Sequence, residues 1–157
     1  MRPSRAWMLL PLVLFAFVLP ACGGDDVAGG SSGSATGSGS TEQDPAALEG
    51  ASWILTQMLT AGGQTEIVGT GVSAKFDGKT ISGNSGCNAY HASYDAKGSE
   101  ISFGPIAGTQ MACGEPESST EVRYVQLLEG VASFEVSGRS MSMNDADGTP
   151  VLQFMKG

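Results

Sequence analysis

Few side chains in this chain could do chemistry: three cysteines, Cys22, Cys87 and Cys113, and a single histidine, His91. Cys87 stands in a glycine-rich bend, Gly83-Asn84-Ser85-Gly86-Cys87, between two strand-like runs. Cys113 ends the run Thr109-Gln110-Met111-Ala112-Cys113. Two such thiols can close a disulfide. With His91, at a Cys-x3-His spacing, they could instead ligate zinc, but no fourth ligand is evident. His91 as a lone general base lacks a recognisable nucleophile. The bend fails the Gly-x-Ser-x-Gly spacing of a nucleophile elbow at Cys87. Asn144-Asp145-Ala146-Asp147-Gly148 falls short of a calcium loop, because no glutamate follows at the required distance. No catalytic residue, metal ligand or cofactor is expected.

The compartment decides between disulfide and metal. Met1 to Arg5 carries two positive charges, and Trp7 to Leu19 is almost wholly apolar. That run is too short to span a bilayer, which takes ~20 apolar residues. It fits a secretory signal over residues 1–21. Leu19-Pro20-Ala21-Cys22 resembles the bacterial lipobox, in which the cysteine is acylated and becomes the mature N-terminus. Cys22 is therefore the expected lipidation site. Acyl chains there would hold the protein at a membrane, each buried methylene contributing about 0.8 kcal/mol. The expected location is the cell envelope, with the domain facing periplasm or cell exterior. Disulfides persist in such a compartment. With Cys22 taken by lipid, Cys87 and Cys113 have only each other.

Residues 22–47 are rich in Gly, Ser, Ala and Thr, with too little apolar bulk to offset the entropy of ordering. They read as a flexible tether reaching on the order of 25–30 Å, ahead of one domain at residues 48–157. The formal net charge is −8. Loss of Arg2 and Arg5 with the signal leaves six Lys/Arg against sixteen Asp/Glu, a net of −10. Such a chain makes poor contact with nucleic acid.

Period-two alternation, broken by Gly, Asp and Asn, predicts antiparallel strands to position the thiols. Trp53 and Leu55 share a face; so do Val72, Ala74 and Phe76, then Tyr90, Ala92 and Tyr94, with His91 on the exposed side. Asp77-Gly78 is a hairpin signal. Ile101 and Phe103, Phe134 and Val136, Met141 and Met143, and Val151 to Met155 continue the pattern, with the methionines expected as core filler. Pro116 to Glu129 differs. It has no glycine, acidic residues toward its start, Gly130 after its end, and Val122, Val125 and Leu128 at spacings of three. One helix and about eight short strands make a mostly β α+β domain, the helix covering a curved sheet.

Leu48-Glu49-Gly50-Ala51-Ser52-Trp53, then Ile81 through the Gly86-Cys87-Asn88 motif to Tyr90, then Thr109-Gln110-Met111-Ala112-Cys113 and the acidic helix resemble the META domain family, also called HslJ-like. The resemblance runs through residues 48–157 and rests most on Gly86, Asn88, Thr109 and Met111 beside the two cysteines. It implies a strongly curved antiparallel sheet, a half-barrel closed by one helix, with Cys87 and Cys113 paired. The family is linked to stress and motility but has no agreed biochemical activity. His91-Ala92-Ser93-Tyr94 departs from its pattern, where relatives carry a bulky aromatic and a glycine. Function is thus expected to be non-catalytic: an envelope lipoprotein that binds an unknown envelope protein. One alternative is an apolar ligand carried in the barrel mouth. Another is inhibition of exported hydrolases or proteases by a disulfide-braced loop, Gly104 to Gly114.

Overall fold

A computed structural model describes residues 43–157 apart from 64, 68 and 70. The expected signal, Cys22 and the tether up to residue 42 lie outside the described residues.

The alternating segments form β1 (Ser52–Leu59), β3 (Val72–Asp77), β4 (Thr80–Ser85), β5 (Ala89–Lys97), β6 (Glu100–Phe103), β8 (Ser133–Ser137), β9 (Ser140–Asn144) and β10 (Pro150–Lys156). Two short strands, β2 (Thr65–Ile67) and β7 (Ala107–Gly108), add to β1 and β5. One helix, α1 (Glu117–Glu129), lies between β7 and β8. The domain is mostly β, with one strongly curved antiparallel sheet and one helix. Curvature carries through to closure. Neighbours run β1-β3-β4-β5-β6-β8-β9-β10, and β10 pairs back onto β1. Closure removes the edges an open sheet would leave. A register shift between Leu55 and Gln57 bends β1, and the intervening Thr56 hydroxyl donates to the Gln153 carbonyl.

The ring is thinnest between β6 and β8, where one residue pair, Glu100 and Ser133, is in register. Beyond it, the Val136 N–H donates to the Gln43 side-chain oxygen at 3.0 Å. The chain therefore already contacts the barrel at Gln43. A 3-10 turn follows at Pro45–Leu48, started by Asp44, whose side chain accepts from the Ala46 N–H. Leu48 is fully buried, and its carbonyl accepts from the Trp53 indole N–H.

The alternation places the interior as expected. Trp53, Leu55, Phe76, Ile81, Phe134, Met141, Met143, Leu152 and Phe154 are each at most 1 % exposed. Tyr124 and Leu128 of α1 complete the core at 0 %. Three expectations change. Val122 is 57 % exposed: the helix turns its 120, 121, 124 and 128 side toward the barrel, and Val125 is only half-buried. Met155 is not core filler but 40 % exposed, because it falls on the outward phase of β10 between Phe154 and Lys156. Gly83 lies inside β4 rather than at the bend. A Cβ there would sit 1.9 Å from the Ser73 carbonyl oxygen and 3.1 Å from the Tyr90 ring. Its absence lets the Tyr90 hydroxyl reach that carbonyl, at 3.1 Å.

α1 lies at the barrel end where β4 runs out into Gly86, whose added Cβ would meet Thr120 at 3.2 Å. The 3-10 turn lies at the other end of β4, sharing a cleft with Gly78, Lys79 and Tyr94.

Candidate functional site

The sequence-singled residues converge at the helix end of the barrel, and Asn88 joins them. Ser85 closes β4 and Ala89 opens β5, so the chain must turn within Gly86-Cys87-Asn88. Gly86 takes φ +114°, which L-residues rarely adopt, and its N–H is held by the Asn84 side chain at 2.7 Å. The turn sends Asn88 inward, where it is 5 % exposed. The Asn88 carbonyl accepts from both the N–H and the hydroxyl of Ser85, each at 2.8 Å.

Every polar group of the Asn88 side chain is used. Its Oδ1 accepts from the Thr109 hydroxyl at 2.7 Å and the Met111 N–H at 2.8 Å. Its Nδ2 donates to the Met111 carbonyl at 3.4 Å and to the Glu121 carboxylate at 3.0 and 3.2 Å. Its backbone N–H donates to the same carboxylate at 2.9 Å. One asparagine thus ties the β4–β5 bend, the 109–113 loop and α1 together. An aspartate could not replace it, since it would offer no donor to Glu121 and would add a like charge.

Cys87 and Cys113 are disulfide-bonded, with Cα atoms 6.0 Å apart, so the zinc alternative loses its thiolates. The loop is held on its other side as well: β7 pairs with Tyr90 and His91 of β5, and the Thr109 N–H donates to the Ala89 carbonyl at 3.0 Å. Gly86, Asn88, Thr109 and Met111 therefore form one structural unit. His91 does not join it through its side chain; it is exposed, and its backbone position pairs with Ala107.

The pinned loop points outward. Met111 is bonded at both N–H and carbonyl, yet its side chain is 61 % exposed, the most of any large apolar residue among those described. Thr109, Gln110 and Ala112 are also exposed. Beneath the loop, Tyr90 and Tyr124 meet hydroxyl to hydroxyl at 2.6 Å with rings edge-on. Tyr90 donates to the Ser73 carbonyl, so Tyr124 supplies the proton of the shared bond. Burial pushes both phenols well above the usual range, for Tyr90 against the opposing effect of the hydrogen bond from Tyr124.

Glu121 was missed by sequence reading. It stood among the acidic residues near the helix start, where the helix dipole is sufficient reason for an acid, and nothing local marks it as the partner of a residue 33 positions away. The calcium-like turn resolves into an Asp145 side chain accepting from the N–H groups of Asp147 and Thr149. Among the described residues no His, Cys, Asp and Glu cluster is arranged to hold a metal. Clefts of about 640, 440 and 250 Å³ are open to solvent, and none is lined by a fully buried core side chain.

The sequence profile of the META domain matches residues 46–157. The chain belongs to the META domain family. A solution structure of a protein from Burkholderia xenovorans resembles it with a TM-score of 0.62 at 24 % identity, over 88 % of this chain and 99 % of that one. A crystal structure of a DUF4847 family protein from Bacteroides vulgatus gives a TM-score of 0.50 at 9 % identity, over 69 % of this chain and 93 % of that one. At these identities the likeness concerns fold alone. No curated protein matches the sequence. The META match begins at Ala46, within the 3-10 turn that carries the buried Leu48, and ends at the last residue of the chain.

Proposed function

We propose that this META domain is a non-catalytic interaction module displayed at the cell envelope by a lipid on Cys22, and that the Asn88-braced loop is its contact surface. The supporting observation is the state of Met111. Its backbone is bonded at both ends by one buried side chain while its side chain projects into solvent. Ordering a loop residue on binding costs roughly 1–2 kcal/mol in backbone entropy alone. A loop already ordered avoids that cost, which is how pre-organised surfaces gain affinity. Methionine suits such a role, being apolar and adaptable.

The test is recovery of bound proteins from gently solubilised envelopes with the full-length chain and with Met111→Asp, which leaves the core untouched. A partner recovered by the parent and by Arg139→Asp, at the β8–β9 turn, but lost with Met111→Asp supports the reading. Identical recovery by all three would sink it. Display at the envelope is checked by Cys22→Ser, which should move the protein into the soluble fraction.

The same loop supports a second reading, inhibition of an exported hydrolase or protease, since a disulfide-braced exposed loop can enter a cleft. Slowing of an envelope hydrolase by the parent and not by Met111→Asp would favour it. An apolar ligand inside the barrel draws no comparable support, because the interior is filled by side chains.

A further inference from the structure

We infer that the Met111 loop docks onto a protein surface that presents an apolar socket rimmed by lysine and arginine. This rests on the interaction reading and names the class of partner. Exposure supplies the apolar half: Met111 is 61 % exposed, and Val122, which follows the Asn88-bound Glu121, is 57 % exposed. Charge supplies the other half. Residues 98–122 contain no lysine or arginine. Glu115 and Glu117 lie within six residues of Met111 and are both exposed. The Ser118 hydroxyl donates to Glu115 at 2.6 Å, and this bond, with help from Ser119, holds its carboxyl below the usual range. The nearest cation along the chain, Arg123, turns its guanidinium toward β1. The Arg123 Nε donates to the Leu59 carbonyl at 2.9 Å, and Lys79 pairs with Asp95 beyond the opposite end of β4.

The same charges weigh against two other occupants. Anionic lipid headgroups repel an acidic rim. A second copy docking through the same patch would set Glu115 and Glu117 against their own images, since a two-fold interface pairs a surface with itself. A basic protein surface satisfies both halves, and acidic rims speed encounter with such partners in a salt-dependent way.

A diazirine amino acid placed at position 111 of the full-length chain, in its native envelope, tests this. The expected product is an adduct to a protein peptide in which apolar residues are flanked by Lys or Arg. Its yield should fall about tenfold between low and high salt. Glu117→Lys should lower it about fivefold, whereas Glu129→Lys, the same charge change at the far end of α1, should change it less than about twofold. Adducts to lipid or to a second copy of the chain overturn the inference. An adduct to a protein that is neutral or acidic at the contact and indifferent to salt overturns it too, but leaves the interaction reading standing. No specific adduct, relative to the same probe at Arg139, overturns both.

Discussion

The two ends of the barrel are closed by different physics. At one end the 3-10 turn sets Leu48 into the interior as a plug, held by apolar contact and by scattered hydrogen bonds from Trp53, Tyr94 and Val136 to Leu48, Glu49 and Gln43. At the other, α1 also contributes apolar side chains, Tyr124 and Leu128, but the segments around it are fixed by polar bonds. Asn88, Glu121, Thr109, the Met111 backbone, the Tyr90–Tyr124 pair and the disulfide all lie there. Apolar burial is non-directional and tolerates small shifts. A satisfied buried polar network fixes geometry, because any misplacement leaves an unpaired group. The first end only needs to exclude water. The second holds one loop in one pose.

Four perturbations should pull the ends apart, beginning with the most damaging. Replacing both Cys87 and Cys113 by serine frees a loop of 26 residues. It should cost about 3.5 kcal/mol by loop entropy, read as a fall in melting temperature of roughly 10–20 °C. Leu48→Ala should cost about 3 kcal/mol through the cavity it leaves. In what remains folded, however, the 109–113 loop should keep its pose, seen as unchanged chemical shifts at Thr109 and Met111. Asn88→Ala should cost less in global stability, about 2 kcal/mol, since some exposed groups can turn to water. Unlike Leu48→Ala it should broaden or shift the loop resonances while leaving those of Phe76 and Ile81 in place. Equal loop disturbance by the two variants would erase the distinction between the ends.

The smallest effect near neutral pH comes from the tyrosine pair. Both phenols titrate higher in the folded chain than in the unfolded one, where the value is about 10. Between those values the unfolded chain has lost protons that the folded chain still holds. The stabilisation is therefore fully present below about pH 10 and declines as pH rises above it, at up to about 1.4 kcal/mol per pH unit for each tyrosine. Chemical denaturation at pH 9, 10 and 11 should show this decline. Tyr90→Phe should make it shallower, and a slope unaffected by that change would remove the pair from the account.

The sequence made the apolar framework readable, and the polar one only as a pattern. Tyr90, Ala92 and Tyr94 are buried with His91 out, and Met141 and Met143 are buried, because a two-residue period leaves strands little choice of face. The helix ends were marked by Pro116 and Gly130, which occupy its N-cap and C-cap positions. Val122 misled because spacings of three fit more than one helix face, and the packing side is set by Gly86 and Asn88 approaching from another element. Barrel closure by β1 and β10 joins residues about a hundred apart in sequence, which no local pattern encodes. Gly86, Asn88, Thr109 and Met111 stood out as a motif before any reason was visible. The reason is a set of hydrogen bonds spanning up to 33 residues, completed by a glutamate that local sequence could not single out.

Asn88 holds the 109–113 loop in place in the free protein. Hydrogen exchange at the Met111 amide, in the free protein and in Asn88→Ala, tests it most directly. The amide donates to Asn88 Oδ1. In the parent it should be protected to nearly the same free energy as the strand amides, despite its exposed side chain. In Asn88→Ala its protection should collapse while the amide of Phe76 stays slow. A Met111 amide that exchanges freely in the parent chain would mean that Asn88 does not hold the loop.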